Sequence, residues 1–325
     1  MSKKFVKKVL RTPYNAWRRK LEDIILSSNQ QLYERLDKHH EERMADLFNY
    51  INEKTERLSE QINLQNEIAA TNTAAFEEYK NKYSGQEIVV LGAGPSLNYY
   101  KPIANAIHIG VNKLCQYNNI ELDYYFTQDF VNPSPFINDI SKLKCKVFLG
   151  IIASLPPLDI NASESLSARL NATRYYFDRS PSEYICTDIR FHPLMDFYTV
   201  IFPVIHFALY TNPKSIYLVG CDTSYSGYFT NERILAPKSK MRYIFFQRFL
   251  GYKKLKEFAQ HYYPDTNMYS INPVNLRGLF EDMYTDDYIV NNKKNIDQSP
   301  LYGDWEITNE MISQFITDHL AEISE

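Results

Sequence analysis

The feature that most constrains the fold is a short apolar run that ends in a glycine turn. Residues 88–97 read Ile-Val-Val-Leu-Gly-Ala-Gly-Pro-Ser-Leu. The apolar, mostly β-branched part predicts a buried strand, and proline followed by serine is typical of the start of a helix. A strand, a glycine turn and a helix in this order are typical of the first strand of an α/β nucleotide-binding sheet.

Apolar runs alternate with helical stretches in the rest of the chain. The predicted strands cover 87–91, 106–110, 123–127, 145–150, 173–177, 215–219 and 267–271, and the predicted helices cover 97–105, 133–142, 196–210, 238–262 and 306–323. Segment 151–172, with two consecutive prolines near its start, is predicted to be a loop-rich excursion. The alternation predicts an α/β fold, a Rossmann-like and mainly parallel sheet with helices on both faces.

The region before the sheet has a different composition. Residues 21–70 contain no proline and no glycine, which predicts one long helix. Apolar side chains recur there at a spacing of three or four residues, including Leu32, Leu36, Met44, Leu47, Ile51, Leu58 and Ile62. This pattern predicts a coiled coil through which the chain forms a homo-oligomer. The alternative is a helix that folds back on its own domain.

Charge and cysteine content limit the location and the partners of the chain. Residues 1–20 carry eight basic and no acidic residues, although the whole chain has a net charge of −3. This segment predicts peripheral contact with an anionic membrane, with a solvated N-terminus as the alternative. The overall charge does not indicate a nucleic-acid partner. Four scattered cysteines and the absence of a long apolar run predict a cytoplasmic protein, at the inner face of the membrane if the basic segment binds there.

The composition divides the chain into four predicted segments. They are a basic segment at 1–20, a long helix at 21–80, a Rossmann-like nucleotide-binding catalytic domain with a lid at 81–282, and a C-terminal tail and helix at 283–325. Phe76 and Tyr79 are expected to dock the end of the long helix on the domain.

The glycine turn is the first candidate site. Gly92, Ala93, Gly94, Pro95 and Ser96 are predicted to hold a nucleotide phosphate. Glycine lets the backbone approach a phosphate without a Cβ in the way, and the N–H groups at the start of the following helix favour an anion. The third glycine of the dinucleotide fingerprint is absent and no Gly-Lys-Ser/Thr follows, so neither NAD binding nor a P-loop is favoured.

Polar residues follow three further predicted strands. Asn112 follows the second strand, Gln128 and Asp129 the third, and Asp222, Thr223 and Tyr225 the strand that ends at 219. Because open α/β sheets bind ligands at the carboxyl ends of their strands, these residues are candidate nucleotide contacts. Asp222 is also a candidate general base, and Asp129 with Asp222 would be the ligands if the reaction needs Mg²⁺. Turn and helix-cap positions are the alternative for each.

Three residues outside the strand ends are also candidates. His192 lies in the sequence Arg-Phe-His-Pro and is a candidate base, with an ordinary loop residue as the alternative. Arg242 and Arg248 lie in a basic stretch with interleaved aromatic residues, and they could bind a phosphate or an anionic acceptor. The alternative is one solvated face of an amphipathic helix. No cluster has the ligand spacing of a zinc site.

Four of these motifs together resemble two related enzyme groups. They are the Gly-Ala-Gly-Pro-Ser-Leu turn, the asparagine after the second strand, the Thr-Gln-Asp end of the third strand and the run Ile-Tyr-Leu-Val-Gly-Cys-Asp. One group is the MptE-like 6-hydroxymethylpterin pyrophosphokinase family, whose relatives include Maf-type flagellin glycosyltransferases. The other is the bacterial sialyltransferases of glycosyltransferase family 42, which use CMP-sialic acid. The resemblance covers roughly residues 86–280.

The resemblance implies a Rossmann-like fold with a lid, and site roles for several residues. Gly92, Gly94, Ser96 and Asn112 would contact the CMP-sugar, and Asp222 would match the aspartate of the Gly-x-Asp loop. The lid histidine of the sialyltransferases has no counterpart in the stretch 243–251, so another residue would be the general base.

Three functional hypotheses follow. The first is a glycosyltransferase that takes a nucleotide-activated, CMP-linked sugar, needs no cofactor, and transfers the sugar to a glycan acceptor in bacterial surface polysaccharide or glycoconjugate synthesis. The second is a Mg²⁺-dependent pyrophosphokinase. The third is a non-catalytic coiled-coil scaffold with a degenerate nucleotide-binding domain.

Overall fold

The computed structural model describes residues 3–128, 136–153, 158–179, 185–223, 227–230 and 238–285, with the backbone alone described at 3–17, 158–163 and 238–243. The chain divides into two compact units, Met1–Asn63 and Leu64–Glu325. The helix predicted at 306–323 lies outside the described residues, and the division into four functional segments stays a prediction.

The described strands form one nine-stranded sheet in the second unit. They are β1 (Glu87–Leu91), β2 (Ile107–Val111), β3 (Tyr124–Thr127), β4 (Lys146–Ile152), β5 (Thr173–Asp178), β6 (Leu194–Met195), β7 (Ser215–Val219), β8 (Asn267–Ile271) and β9 (Glu281–Met283). Their order is β6-β5-β4-β3-β2-β1-β7-β8-β9, and every neighbouring pair is parallel. The predicted α/β, Rossmann-like fold is confirmed.

Helices precede the sheet and connect its strands. The α-helices are α1 (Lys3–Phe76), α2 (Ile137–Ile140), α3 (Leu158–Leu170), α4 (Ile201–Tyr210) and α5 (Lys238–Tyr262), and short 3-10 helices cover Glu77–Tyr79, Pro95–Tyr99 and Asn112–Gln116. Residues of β1 alternate between two apolar layers, because Ile88 and Val90 pack in one cluster and Val89 and Leu91 in the other. Both faces of the central strand are therefore buried, as in a sheet covered on two sides.

The end of α1 belongs to the core of the second unit, as predicted from Phe76 and Tyr79. Phe76 is fully buried, and its ring stacks on Phe148 with centroids 5.7 Å apart. Tyr79 meets the ring of Phe207 edge-on at 5.1 Å. Such aromatic pairs add specific geometry to the burial of large apolar surfaces.

A buried asparagine gives the same junction a polar attachment. The Asn72 side-chain amide donates to the carbonyls of Ile189 and His192 at 3.1 and 2.8 Å. Its oxygen accepts the backbone N–H of Tyr176 on β5 at 2.7 Å. One side chain thus joins the helix end to β5 and to the loop before β6.

Several predicted elements differ from the structure. The helix predicted at 97–105 is wrong, since the glycine turn opens a 3-10 helix of five residues instead. The loop predicted at 151–172 is also wrong, because α3 occupies much of it. Its asparagine and serine residues are weak helix formers, but Leu166 and Leu170 pack against other parts of the domain, and tertiary packing overrides weak propensity. Among the described residues, the helix predicted at 133–142 covers only Ile137–Ile140, and the helix predicted at 196–210 covers only Ile201–Tyr210. The short strands β6 and β9 were not predicted.

In the first unit, α1 is helical from Lys3 onward and continues through Pro13. Many of its large apolar side chains are exposed. No helix in the described part of the chain has the length and apolar character needed to cross a membrane. The coiled coil and the membrane contact of residues 1–20 stay predictions.

Candidate functional site at the switch point of the sheet

The candidate site lies where the strand order reverses. The chain adds β2 to β6 on one side of β1 and then returns to place β7 on the other side. The carboxyl ends of β1 and β7 are therefore adjacent, and parallel sheets bind ligands at such a switch point. A crevice of about 360 Å³ opens there, which lies within the size range of small-molecule sites.

The crevice brings together many of the residues predicted from sequence. The predicted residues that line it are Gly92, Ala93, Gly94, Asn112, Asp222, Thr223 and Arg248. Side chains that the sequence analysis did not single out complete the wall, among them Lys113, Phe136, Thr199, Tyr228 and Tyr252. The structure therefore brings the carboxyl ends of β1, β2 and β7 together at one crevice, and the role of these residues as nucleotide contacts stays a prediction.

The two glycines of the β1 turn are needed for contact with the β7 turn. The N–H of Gly94 donates to the carbonyl of Gly220 at 2.8 Å. A Cβ on Gly94 would lie 2.6 Å from that oxygen and 2.6 Å from Cγ of Asp222, and a Cβ on Gly92 would lie 2.8 Å from the carbonyl carbon of Gly220. The sequence analysis expected these glycines to allow close contact with a phosphate. In the structure they allow close contact between the two backbone turns.

A hydrogen-bonded pair joins the two turns. The backbone N–H of Ser96 donates to Oδ2 of Asp222 at 2.8 Å, and the Ser96 hydroxyl donates to Oδ1 of the same carboxylate. Both residues are buried. The donors of Ser96 that were expected to bind a phosphate therefore bind the carboxylate of the chain itself, and the following 3-10 helix is too short to provide a large helix dipole.

Burial changes the acidity of this carboxylate. Desolvation raises the pKa of Asp222 to about 6, and the hydrogen bonds from Ser96 oppose this shift. The carboxylate is ionised for most of the time at pH 7 and titrates close to that pH. A group with these properties suits general acid–base chemistry.

Arg248 is the main cationic group of the crevice. Its Nε and one terminal nitrogen donate to the carbonyl of Tyr198 at 3.3 and 3.0 Å, and its guanidinium lies 5.8 Å from the ring centre of Phe245. None of the described residues forms an ion pair with it. Desolvation lowers the pKa of its guanidinium from the usual value. Arginine side chains nevertheless stay protonated in folded proteins at neutral pH. Because two donor groups of Arg248 share one carbonyl, the other terminal nitrogen can serve a ligand.

Asn112 offers an acceptor at the end of β2. Its backbone has a φ of +46°, a conformation that asparagine tolerates, and its carbonyl accepts the Tyr125 hydroxyl at 2.5 Å. Its side-chain oxygen is buried and has no hydrogen-bond partner among the described residues. Buried acceptors are nearly always satisfied in folded proteins, so this oxygen is suited to a ligand donor.

Lys113 belongs to the candidate motif after β2, but the sequence analysis assigned it no role. It follows Asn112 directly and lines the crevice. Its ammonium lies 4.1 Å from the ring centre of Tyr228, a cation–π contact that holds a second positive charge near the crevice. Its position directly after a strand end was the sequence feature that could have identified it as a site residue.

Other predicted residues lie elsewhere. Gln128 is at the end of β3, where its side chain packs close to Gly150 on β4, and it does not line the crevice. His192 is exposed in the loop before β6 and is likewise absent from the crevice lining. Pro95 starts the 3-10 helix without lining the crevice.

Three predicted residues cannot be placed at the site. Asp129 and Tyr225 lie outside the described residues, and only the backbone of Arg242 is described. No group of three or more histidine, cysteine, aspartate or glutamate side chains in the described ranges could hold a metal ion. The possible Mg²⁺ ligation by Asp129 and Asp222 stays a prediction.

The fold and the crevice define a Rossmann-like α/β protein with a site at its switch point. No family model matches the chain. No curated protein matches it at the significance required.

Two solved structures are similar to the chain, and both are of the sialyltransferase CstII from Campylobacter jejuni. The complex with cytidine-5′-monophosphate has a TM-score of 0.36 and 13% identity, over 72% of this chain and 98% of that one. The complex with CMP-3FNeuAc has a TM-score of 0.34 and 14% identity, over 71% and 98%. Membership of the MptE-like or Maf-type groups stays a prediction.

Proposed function

We propose that the crevice binds a nucleotide-activated, CMP-linked sugar and that the protein transfers the sugar to an acceptor hydroxyl. The observation that carries the proposal is Arg248, a guanidinium that lines the crevice and has no carboxylate partner among the described residues. Guanidinium groups bind phosphate oxygens with matched geometry, so the nucleotide phosphate is the group assigned to it. Lys113 adds a second positive charge.

The nucleoside is assigned to the neighbouring strand end. The unpartnered side-chain oxygen of Asn112 can accept a hydrogen bond from a base amino group or from a ribose hydroxyl. Its strand, β2, lies directly beside β1. A ligand could therefore reach Asn112 and the β1–β7 turns at once.

Asp222 is the proposed general base. A carboxylate has about four lone-pair sites, so the two hydrogen bonds from Ser96 leave capacity for an acceptor hydroxyl. In the transfer, Asp222 takes the hydroxyl proton while the acceptor oxygen bonds to the anomeric carbon of the sugar. The bond between that carbon and the phosphate oxygen breaks, and CMP leaves with its electron pair.

Calorimetry with CMP tests the binding step. We expect Arg248→Ala to weaken CMP binding by about 10- to 100-fold, the value of a charge-assisted hydrogen bond. Lys253→Ala removes an exposed cation from the same helix and is the matched control, with binding unchanged. Thermal melts of both variants establish that each is folded. The proposal fails if neither CMP nor a CDP compound binds the wild-type chain, or if Arg248→Ala binds CMP as the wild type does.

A further inference from the structure

Exposed apolar side chains on α1 repeat every 11 residues in the first unit. Ile25, Leu36, Leu47 and Leu58 occupy one position of this repeat, with exposed fractions of 52, 54, 50 and 58%. Apolar residues three before or four after these positions extend the set to Tyr33, Met44, Ile51 and Ile62. These eight residues are called the apolar stripe.

The repeat places the apolar stripe on one face of the helix. Eleven residues complete three turns at about 3.67 residues per turn, close to the 3.6 of an α-helix, and such a repeat produces a right-handed supercoil. The stripe extends about 56 Å from Ile25 to Ile62 at 1.5 Å per residue. A seven-residue repeat through Met44, Leu47 and Ile51 would instead place charged or polar residues in the seam.

We propose that the apolar stripe pairs with the same stripe of a second copy, in a parallel and in-register two-stranded coiled coil. Polar residues interrupt the stripe at Asn29, His40 and Thr55. In a parallel in-register pair, each of them lies opposite its own copy, so no polar side chain faces an apolar one. Such polar layers specify register and orientation in coiled coils.

The charges beside the apolar stripe favour the parallel orientation. Arg43 and Lys54 are 11 residues apart and lie on one flank, whereas Glu41 lies on the other flank. A parallel pair brings opposite flanks together, so Arg43 of one copy faces Glu41 of the partner subunit, and this occurs twice by symmetry. An antiparallel pair would set the flank of Arg43 and Lys54 against itself, and like charges at these positions oppose association.

The molar mass of the full chain tests the association. Light scattering after size exclusion should give twice the chain mass of 38.2 kDa. The double variant Leu36→Glu/Leu47→Glu places charges in the seam and should raise the dimer dissociation constant by at least about 100-fold. The matched control Ile24→Glu/Tyr50→Glu changes two exposed apolar residues off the stripe and should leave it unchanged. A monomeric wild type, or a dimer that the first variant does not weaken, overturns the proposal.

Disulfide trapping tests the orientation. Thr55→Cys places a thiol in the seam at the same level in both copies, so mild oxidation should link most of the chains into dimers. Glu53→Cys, on the opposite side of the helix, is the control, and the wild type gives the background from its four native cysteines. A Thr55→Cys sample that forms no more linked dimer than Glu53→Cys overturns the parallel, in-register arrangement. Neither test depends on the function proposed for the crevice.

Discussion

The buried carboxylate of Asp222 makes the stability of the protein depend on pH in a way that one substitution should reveal. Its pKa is raised from 3.8 to about 6 in the folded state. The acid therefore binds its proton more tightly in the folded than in the unfolded chain. Its favourable contribution to the free energy of unfolding is complete only well below the unfolded pKa of 3.8, and it is lost as the pH rises through 6. A shift of about two pH units corresponds to about 3 kcal/mol.

The substitution Asp222→Asn removes this dependence. An asparagine has almost the same shape and no charge to desolvate, and it can keep hydrogen bonds to Ser96 if the hydroxyl rotates. The free energy of unfolding of the variant, relative to wild type, should therefore increase by about 2 kcal/mol between pH 4 and pH 7. Most of the increase should fall between pH 4 and pH 6, with a plateau above pH 7.

Urea unfolding followed by circular dichroism at several pH values measures this difference. Asp265→Asn removes an exposed carboxylate and is the control, with an expected change below about 0.5 kcal/mol. A difference that stays constant from pH 4 to pH 7 would refute the reasoning. A difference that falls with pH would show that the hydrogen bonds from Ser96 outweigh desolvation and lower the pKa of Asp222.

Two further predictions concern the packing that positions the crevice. Gly94→Ala should lower the free energy of unfolding by about 1–3 kcal/mol, because its Cβ would meet the backbone of the β7 turn. Thermal melts measure this loss, and an unchanged melting temperature would contradict the contact. Asn72→Ala should cost about 2–4 kcal/mol in urea unfolding, since it removes three hydrogen bonds made by a fully buried side chain. Hydrogen exchange should also be faster at the backbone N–H of Tyr176, and protection equal to wild type would exclude this role for Asn72.

The central strands could be predicted closely from the sequence. The structure has β1, β7 and β8 and the helix α5 at the predicted residues. β1 and β7 are short apolar runs that the sheet buries, whereas β8 reads Asn-Met-Tyr-Ser-Ile and is buried only at its last two residues. α5 is a long run with helical periodicity. β6 and β9 were missed because two or three residues are too few to show a period, and each is formed by pairing with one neighbouring strand.

The candidate site could be predicted in part. The rule that ligands bind at the carboxyl ends of parallel strands was sufficient to select Asn112, Asp222 and the glycine turn, because strand ends are visible in the sequence. The rule does not say which loops extend toward the crevice. His192 and Gln128 were selected by residue type and position, and neither lines the crevice.

The sequence by itself determined the α/β fold class and the glycine turn at the end of the first strand, because burial and backbone freedom are local properties of residue type. Only the tertiary structure decided what the turn contacts. Ser96 and Asp222 are 126 residues apart in the chain, and they meet because β7 returns to the side of β1. Local patterns do not encode which distant strands become neighbours. Only the folded sheet therefore shows that the Ser96 donors bind the carboxylate of Asp222.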